Sequence, residues 1–235
     1  MNKFIHTDSI KYMKEIKEES IDMIFTDPPY KLISGGMSTK NKNTKQWSKN
    51  CKSDYSTKDG IIYKVPKPSE YIHLLYKILK NDSYCFVMTN DRNIELFLTE
   101  ARKVKFKLCS ILIIHKPNKT PNPYFMKNIE FIIMFRKGKY KKIKSSYMGN
   151  GCIFKTNKIQ NKIHISQKDV EFIKVLIKAC TNEYDLICDP FAGSGSTGIA
   201  CIECNRYYLM FEENEESYNK ANLRIKELKK KLWMN

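Results

Sequence analysis

The run Leu186-Ile187-Cys188-Asp189-Pro190-Phe191-Ala192-Gly193-Ser194-Gly195-Ser196-Thr197-Gly198 constrains the fold more than any other part of the chain. An apolar, β-branched strand passes through a turn holding Gly193 and Gly195 and re-emerges as a helix. Glycine tolerates the positive φ of such a reversal and lets a ligand approach the backbone closely. The N–H groups at the start of the next helix favour an anionic group. A strand that hands over to a helix in this way is a unit of a parallel sheet. Other segments agree: β-rich runs predict strands at Ile21 to Phe25, Ser83 to Met88, Ser110 to His115, Glu130 to Phe135, Asp185 to Cys188 and Tyr207 to Phe211. Apolar residues at helical spacing predict helices over Ser69 to Leu79, Asn93 to Lys103, Lys168 to Ala179, Gly198 to Cys204 and Glu216 to Leu232. The expectation is an α/β, Rossmann-like domain spanning residues 1–235, large enough to bury a core without disulfides or metals.

Two stretches depart from this alternation. Residues 34–60 are rich in Lys, Asn, Ser and Thr and predict a long mobile loop. Residues 137–163 are basic, with Tyr140, Tyr147 and Phe154 interspersed, and predict an insertion that could recognise a target. No apolar run approaches the roughly 18 residues that span a bilayer, so no membrane partner is expected. Met1 to His6 lacks the core of a signal peptide. The eight cysteines are too sparse for a disulfide framework and predict reduced thiols in a cytoplasmic setting.

Charge narrows the partners. The chain carries a net +17, and between Ala101 and Cys180 stand 19 Lys and Arg against only Glu130, Asp169 and Glu171, so sixteen of the seventeen net charges lie in one third of the sequence. A field so concentrated fits a polyanion, nucleic acid first. Within it, Lys139, Lys141, Lys142 and Lys144 crowd a stretch with few apolar residues and are the candidate contacts to DNA phosphates.

Two further features carry chemistry. After the strand Ile21 to Phe25 comes Thr26-Asp27-Pro28-Pro29-Tyr30. A carboxylate at the end of a parallel strand stands where open α/β sheets bind ligands. The prolines fix φ and remove N–H groups, leaving a stiff turn that presents carbonyl acceptors. Two acceptors beside an aromatic face suit a flat ring bearing an exocyclic NH₂, as in sites for a base flipped out of a duplex. Glu212 follows the strand Tyr207 to Phe211, where a carboxylate can hold ribose hydroxyls.

Taken together, the motifs resemble those of the DNA amino-methyltransferases, with their Asp-Pro-Pro-Tyr motif and Phe-x-Gly-x-Gly cofactor loop; the motif order here resembles the family's β class. The resemblance covers most of the chain and implies a seven-stranded sheet, S-adenosylmethionine as cofactor and DNA as substrate. It implies catalytic roles for Asp27, Pro28, Pro29 and Tyr30, and cofactor contacts from Asp189, Pro190, Phe191, Ala192, Gly193, Ser194, Gly195, Ser196, Thr197 and Glu212. Ser166-Gln167-Lys168 resembles the family's Gln-Lys-Pro element near the cofactor's methionine end, which adds Gln167 and Lys168, although Asp169 stands in place of the usual Pro. Asp8, after Phe4 and Ile5, resembles the acid that reads the cofactor adenine, with a helix cap as the alternative. The Asp form of the motif favours N6 of adenine over N4 of cytosine.

Competing classes explain less. A DNA-binding relative without turnover would not need Asp27, Tyr30, Gly193 and Gly195 intact. A nicotinamide oxidoreductase would leave Asp27 to Tyr30 and the basic segment unexplained. Cys201 and Cys204 have metal-ligand spacing but lie one helical turn apart without a second pair, so no metal is expected. Either a monomer or a homodimer is compatible with the sequence.

Overall fold

The computed structural model describes residues 2–29, 55–58, 61–120, 124–157 and 167–233. In chain order the strands are β1 (Lys3–His6), β2 (Ile21–Thr26), β3 (Tyr55–Lys58), β4 (Ile61–Lys64), β5 (Leu79–Thr89), β6 (Lys107–Thr120), β7 (Lys127–Lys137), β8 (Ile153–Lys155), β9 (Leu186–Asp189) and β10 (Tyr207–Glu212). The helices are α1 (Ser9–Glu15), α2 (Pro68–Ile78), α3 (Ile94–Lys103), α4 (Val170–Cys180), α5 (Ser196–Glu203) and α6 (Glu215–Trp233). One sheet runs in the order β1-β10-β9-β2-β5-β7-β6-β8, and β3 pairs with β4 in a separate antiparallel hairpin. Within the large sheet β7 alone opposes its neighbours.

The large sheet has eight strands, not seven. Ile153–Lys155, inside the expected 137–163 insertion, pairs in parallel with Ile113, Ile114 and His115 of β6 and extends the sheet at that edge. Three residues are too few for a period of two to be visible in sequence, yet they meet the otherwise open edge of β6. Similarly, the described part of 34–60 is the strand Tyr55–Lys58 and not loop. The rest of 34–60 lies outside the described residues, as do residues 158–163.

Alternation along the strands divides the core into two layers. Met23, Phe25, Phe86 and Met88 face α4, α5 and Ile225 of α6, with Ile173, Leu176 and Ile177 filling that side. Ile24, Cys85 and Val87 face α1, α2 and α3, where Met13, Ile72, Leu75, Phe97 and Ala101 close the other. Each such aliphatic or aromatic side chain contributes about 1.5–3 kcal/mol on burial.

Caps set the helix starts nearest the site. Asp169 caps α4 by accepting from Glu171 N–H at 3.0 Å, and its φ of −65° is one that proline also adopts. Asp for Pro at this position therefore preserves the helix start.

Candidate active site

Parallel strands end on a common edge, and here the carboxyl ends of β1, β10, β9 and β2 stand side by side, with β9 and β2 in register at Cys188 and Ile24. From β9 the chain crosses to β10 on one side, whereas from β2 the next strand of this sheet, β5, lies on the other. The switch point between them is where open α/β sheets bind ligands. Asp27 leaves β2 and Asp189 ends β9 on either side of this point.

Asp27 is half-buried, Pro28 is buried and Pro29 is half-buried. Lys168 Nζ lies 3.2 Å from Asp27 Oδ2 and 2.9 Å from Glu130 Oε2. Lys116 Nζ completes the ladder at 3.1 Å from Glu130 Oε1. Burial acts to raise the Glu130 pKa, but the Lys168 and Lys116 ammonium groups outweigh it and bring it down to about 2. Tyr71 of α2 is fully buried nearby, its ring edge-on to Phe191 at 5.2 Å. Burial first, and then adjacent acidic groups that include Asp27, push its phenol well above the ordinary range. Tyr30 lies outside the described residues.

The glycine loop is held from three sides. Asp189, 3% exposed, accepts from Phe191 N–H at 3.1 Å and from Thr197 Oγ1 at 2.5 Å. Burial nevertheless pushes its carboxyl up to about 7. Arg224 of α6 donates to Ser194 O at 3.0 Å and Ser196 Oγ at 3.2 Å. Ser196 Oγ in turn donates to Lys168 O at 3.1 Å. Glu212, ending β10, accepts from Gly193 N–H and Asn214 N–H, both at 2.9 Å.

The glycines differ in purpose. Gly195 has φ +74°, and a Cβ there would stand 3.2 Å from Ala221 Cβ and 3.3 Å from Ile225 Cδ1, so its missing side chain serves the contact with α6. A Cβ on Gly193, at φ +49°, would meet nothing within 4 Å. Its backbone therefore faces open space beside Glu212. Pro190 and Ala192 are buried in the turn.

Other expected site residues are placed as follows. Asp8 is the N-cap of α1, its Oδ1 accepting from Ile10 N–H at 2.9 Å and Lys11 N–H at 3.3 Å. It is also on the site's edge, since Thr7 N–H donates to Glu212 O at 3.0 Å. Gln167 and Lys168 are half-buried at the entry to α4. Cys201 and Cys204 are buried, and among the described residues no group of three His, Cys, Asp or Glu could hold a metal. No helix of the described residues is long and apolar enough to cross a membrane.

Lys139, Lys141, Lys142 and Lys144, the expected DNA contacts, are not brought to this edge. Because β7 is antiparallel, its carboxyl end at Lys137 lies opposite Ser83, in the amino-terminal half of β5 and so towards the far edge of the sheet. Lys137 is itself buried there, donating to Tyr76 O at 2.9 Å and Leu79 O at 2.8 Å. Lys139 N–H is held by Asp82, and Lys144 Nζ donates to Thr181 O at 2.5 Å, just past the end of α4. The four lysines are exposed, but on the side of the sheet away from Asp27.

Sequence reasoning assigned no charge role to Glu130, Lys116, Arg224 or Tyr71. Glu130 had a signal, a lone acid entering the apolar run Phe131 to Phe135, and Arg224 is one of only five arginines. Nothing in the sequence pairs Tyr71 with Phe191.

A cofactor-type loop and an Asp-Pro-Pro turn meeting at one switch point define a group-transfer site of the nucleotide-binding α/β class. Comparison with known proteins gives the particular family: residues 21–223 match the model of the N6/N4 DNA methylases, and the chain belongs to that family. It is 31% identical to the type II methyltransferase M2.MboI of Moraxella bovis, over 93% of this chain and 85% of that protein. It is 28% identical to M2.DpnII of Streptococcus pneumoniae, over 94% and 88%. The fold matches that of M1.HpyAVI, solved in complex with SAM, with a TM-score of 0.69, 21% identity and coverage of 95% of this chain and 100% of that one. It also matches the cytosine-N4-specific PvuII DNA methyltransferase, with a TM-score of 0.72, 18% identity and coverage of 95% and 86%.

Proposed function

We propose that this DNA methylase transfers the methyl group of S-adenosylmethionine to the exocyclic N6 amine of an adenine flipped out of DNA. The observation that carries the reading is the position of Lys168, whose side chain holds Asp27 while its backbone carbonyl holds Ser196 of the glycine loop. One residue thus ties the acceptor for an amine to the loop for a cofactor.

The chain fits the cofactor. Gly193 leaves the space that a Cβ would fill, with the Glu212 carboxylate beside it for ribose hydroxyls and Asp8 on the same edge for the adenine. When bound, S-adenosylmethionine supplies an electrophilic methyl on a sulfonium. The protein's own residues act on the amine. Its nitrogen lone pair is delocalised into the base and is a poor nucleophile. Asp27 and the Pro28 carbonyl accept hydrogen bonds from its two N–H groups and stabilise positive charge as it develops on nitrogen, and the surplus proton passes to water once the methyl is on nitrogen. Lys168 fixes Oδ2 of Asp27, which directs Oδ1 to the amine. Tyr30 stacks on the base and Phe191, braced by Tyr71, stiffens the loop. The rate then derives from alignment of two bound reactants in a site that needs no metal.

Modification-sensitive sequencing of DNA from a host expressing the wild type or Asp27→Ala tests this. A sequence-specific N6-methyladenine mark that the variant lacks is the expected result. A mark on cytosine N4 would reassign the base, and no mark with the wild type would remove the activity.

A further inference from the structure

Asp27 and Glu130 are carried by strands that do not touch. β5 lies between β2 and β7, so their backbones stand two strand spacings apart, about 10 Å. Thr89, the last residue of β5, pairs with Phe131, and Glu130 therefore stands just beyond the end of the intervening strand. Alternation puts its side chain on the face of Ile132, which packs in the same core layer as Phe172 and Ile173 of α4. Lys168, two residues before α4, comes in from that side, and its ammonium meets Asp27 Oδ2 at 3.2 Å and Glu130 Oε2 at 2.9 Å.

Orientation of Asp27 requires only the first of these contacts. An ammonium that faced Asp27 alone would do more than orient it. Opposite charges attract strongly where the side chains are less than one-fifth exposed, and a lysine stem is flexible enough to close the remaining gap. Fully paired, Asp27 would commit its charge to Lys168 and accept a weaker hydrogen bond from the amine. Glu130 opposes this. Burial acts to raise its pKa, but Lys168 and Lys116 hold it at about 2, so it is an anion at every working pH. Lys116 balances its other oxygen at 3.1 Å, so the four side chains sum to zero charge, with the Lys168 ammonium drawn two ways.

We propose that Glu130 is a positioning residue for methyl transfer, holding back the Lys168 ammonium so that Asp27 is oriented by it and still keeps the charge that receives the amine. The inference rests on the reading that Asp27 accepts a hydrogen bond from the target amine. In this role Glu130 touches neither substrate nor cofactor and acts only through Lys168.

The test is a double-mutant cycle of Glu130→Gln and Lys168→Met, read as the single-turnover methylation rate at saturating DNA on a duplex carrying the mapped site. The dissociation constants for that duplex and for S-adenosylmethionine are measured alongside. Glu130→Gln keeps the shape of the side chain and removes its charge. The rate should fall roughly tenfold, the scale on which one charge-assisted hydrogen bond weakens, while both dissociation constants stay within about twofold. In the Lys168→Met background the same change should alter the rate by less than about twofold, because the residue it acts through is gone. Single effects that multiply in the double variant would overturn the role. So would a Glu130→Gln rate equal to wild type, or a loss confined to DNA or cofactor affinity. Should Glu130→Gln not fold at the assay temperature, Glu130→Asp, which keeps the charge but withdraws it from Lys168 by one methylene, carries the same comparison with a smaller loss of the same sign. Absence of methylation by the wild type, or full activity of Asp27→Ala, would instead remove the function on which the inference rests.

Discussion

Replacing Lys168 by Met removes the cation seated between Asp27 and Glu130, at 3.2 Å and 2.9 Å. All three side chains are less than one-fifth exposed, at 16% for Lys168 and 18% for each acid, so water screens the uncovered charges poorly. Breaking a buried pair by deleting one partner typically costs about 3–5 kcal/mol. Glu130 provides a second route to the magnitude. Its carboxyl is held at about 2 against an ordinary 4.5, which at 1.36 kcal/mol per pH unit corresponds to roughly 3 kcal/mol of native-state stability. Lys116 remains at 3.1 Å from its other oxygen, so the share lost with Lys168 is about 2 kcal/mol. The sign follows from the depressed native pKa. The stabilisation is complete above the unfolded value near 4.5 and is lost as pH falls through about 2, with less than half remaining by about pH 3. Urea unfolding of wild type and Lys168→Met at neutral pH and near pH 3 should therefore show a deficit that narrows in acid. Methylation should fall with it by one to two orders of magnitude, because Asp27 loses its orienting contact, and Lys168→Arg should recover much of both. A stability deficit of the same size at both pH values would refute the electrostatic account and leave packing of the lysine stem as the cause.

Asp189 runs the opposite way in pH. Its acid is favoured in the fold up to about 7 but ionises near 3.8 when unfolded, so wild-type stability declines as pH rises between those values, and Asp189→Asn should gain roughly 3 kcal/mol on it from pH 5 to pH 8 in guanidinium unfolding. Gly193→Ala should leave the melting temperature within a few degrees but weaken S-adenosylmethionine binding by calorimetry, since its Cβ enters the proposed cofactor space. Gly195→Val should lose fold and binding together, since φ +74° and the approach to Ala221 and Ile225 oppose any side chain; cofactor loss with an unchanged melting temperature would refute that distinction. Changing Lys141, Lys142 and Lys144 to Gln should leave the salt dependence of DNA affinity at the site unaltered, whereas three direct phosphate contacts would lower the slope by about three.

Much of the architecture was legible because it depends on local periodicity. The strands through Ile24, Phe86, Ile133 and Ile187 are continuous apolar runs, as two-sided burial requires, and the helices before and after them show one apolar face. Short edge elements were not legible: Lys3–His6 and Ile153–Lys155 are strands because a neighbouring edge accepts them. The two turns that meet at the switch point were readable from residue type and order, since an Asp-Pro-Pro turn and a glycine loop each need their own local geometry. Their connection was not, because the Lys168 contacts to Asp27, Glu130 and Ser196 depend on where α4 begins in space.

The basic segment shows most sharply what periodicity leaves out. A strand and its reverse have the same alternation, so Glu130 to Phe135 reads identically whichever way it runs. Had β7 been parallel to β5, Lys137 would have emerged on the catalytic edge and Lys139 to Lys144 would have faced the DNA. Its antiparallel pairing from Ser83↔Lys137 to Thr89↔Phe131 exchanges the two ends. The lysines after β7 go to the far edge, where Lys137 and Lys144 satisfy carbonyls at the ends of α2 and α4. The connection before it, with Lys119, Tyr124 and Phe125, comes to the edge that holds Asp27. Strand direction thus decides which basic residues can reach a substrate at the switch point, and total charge alone cannot.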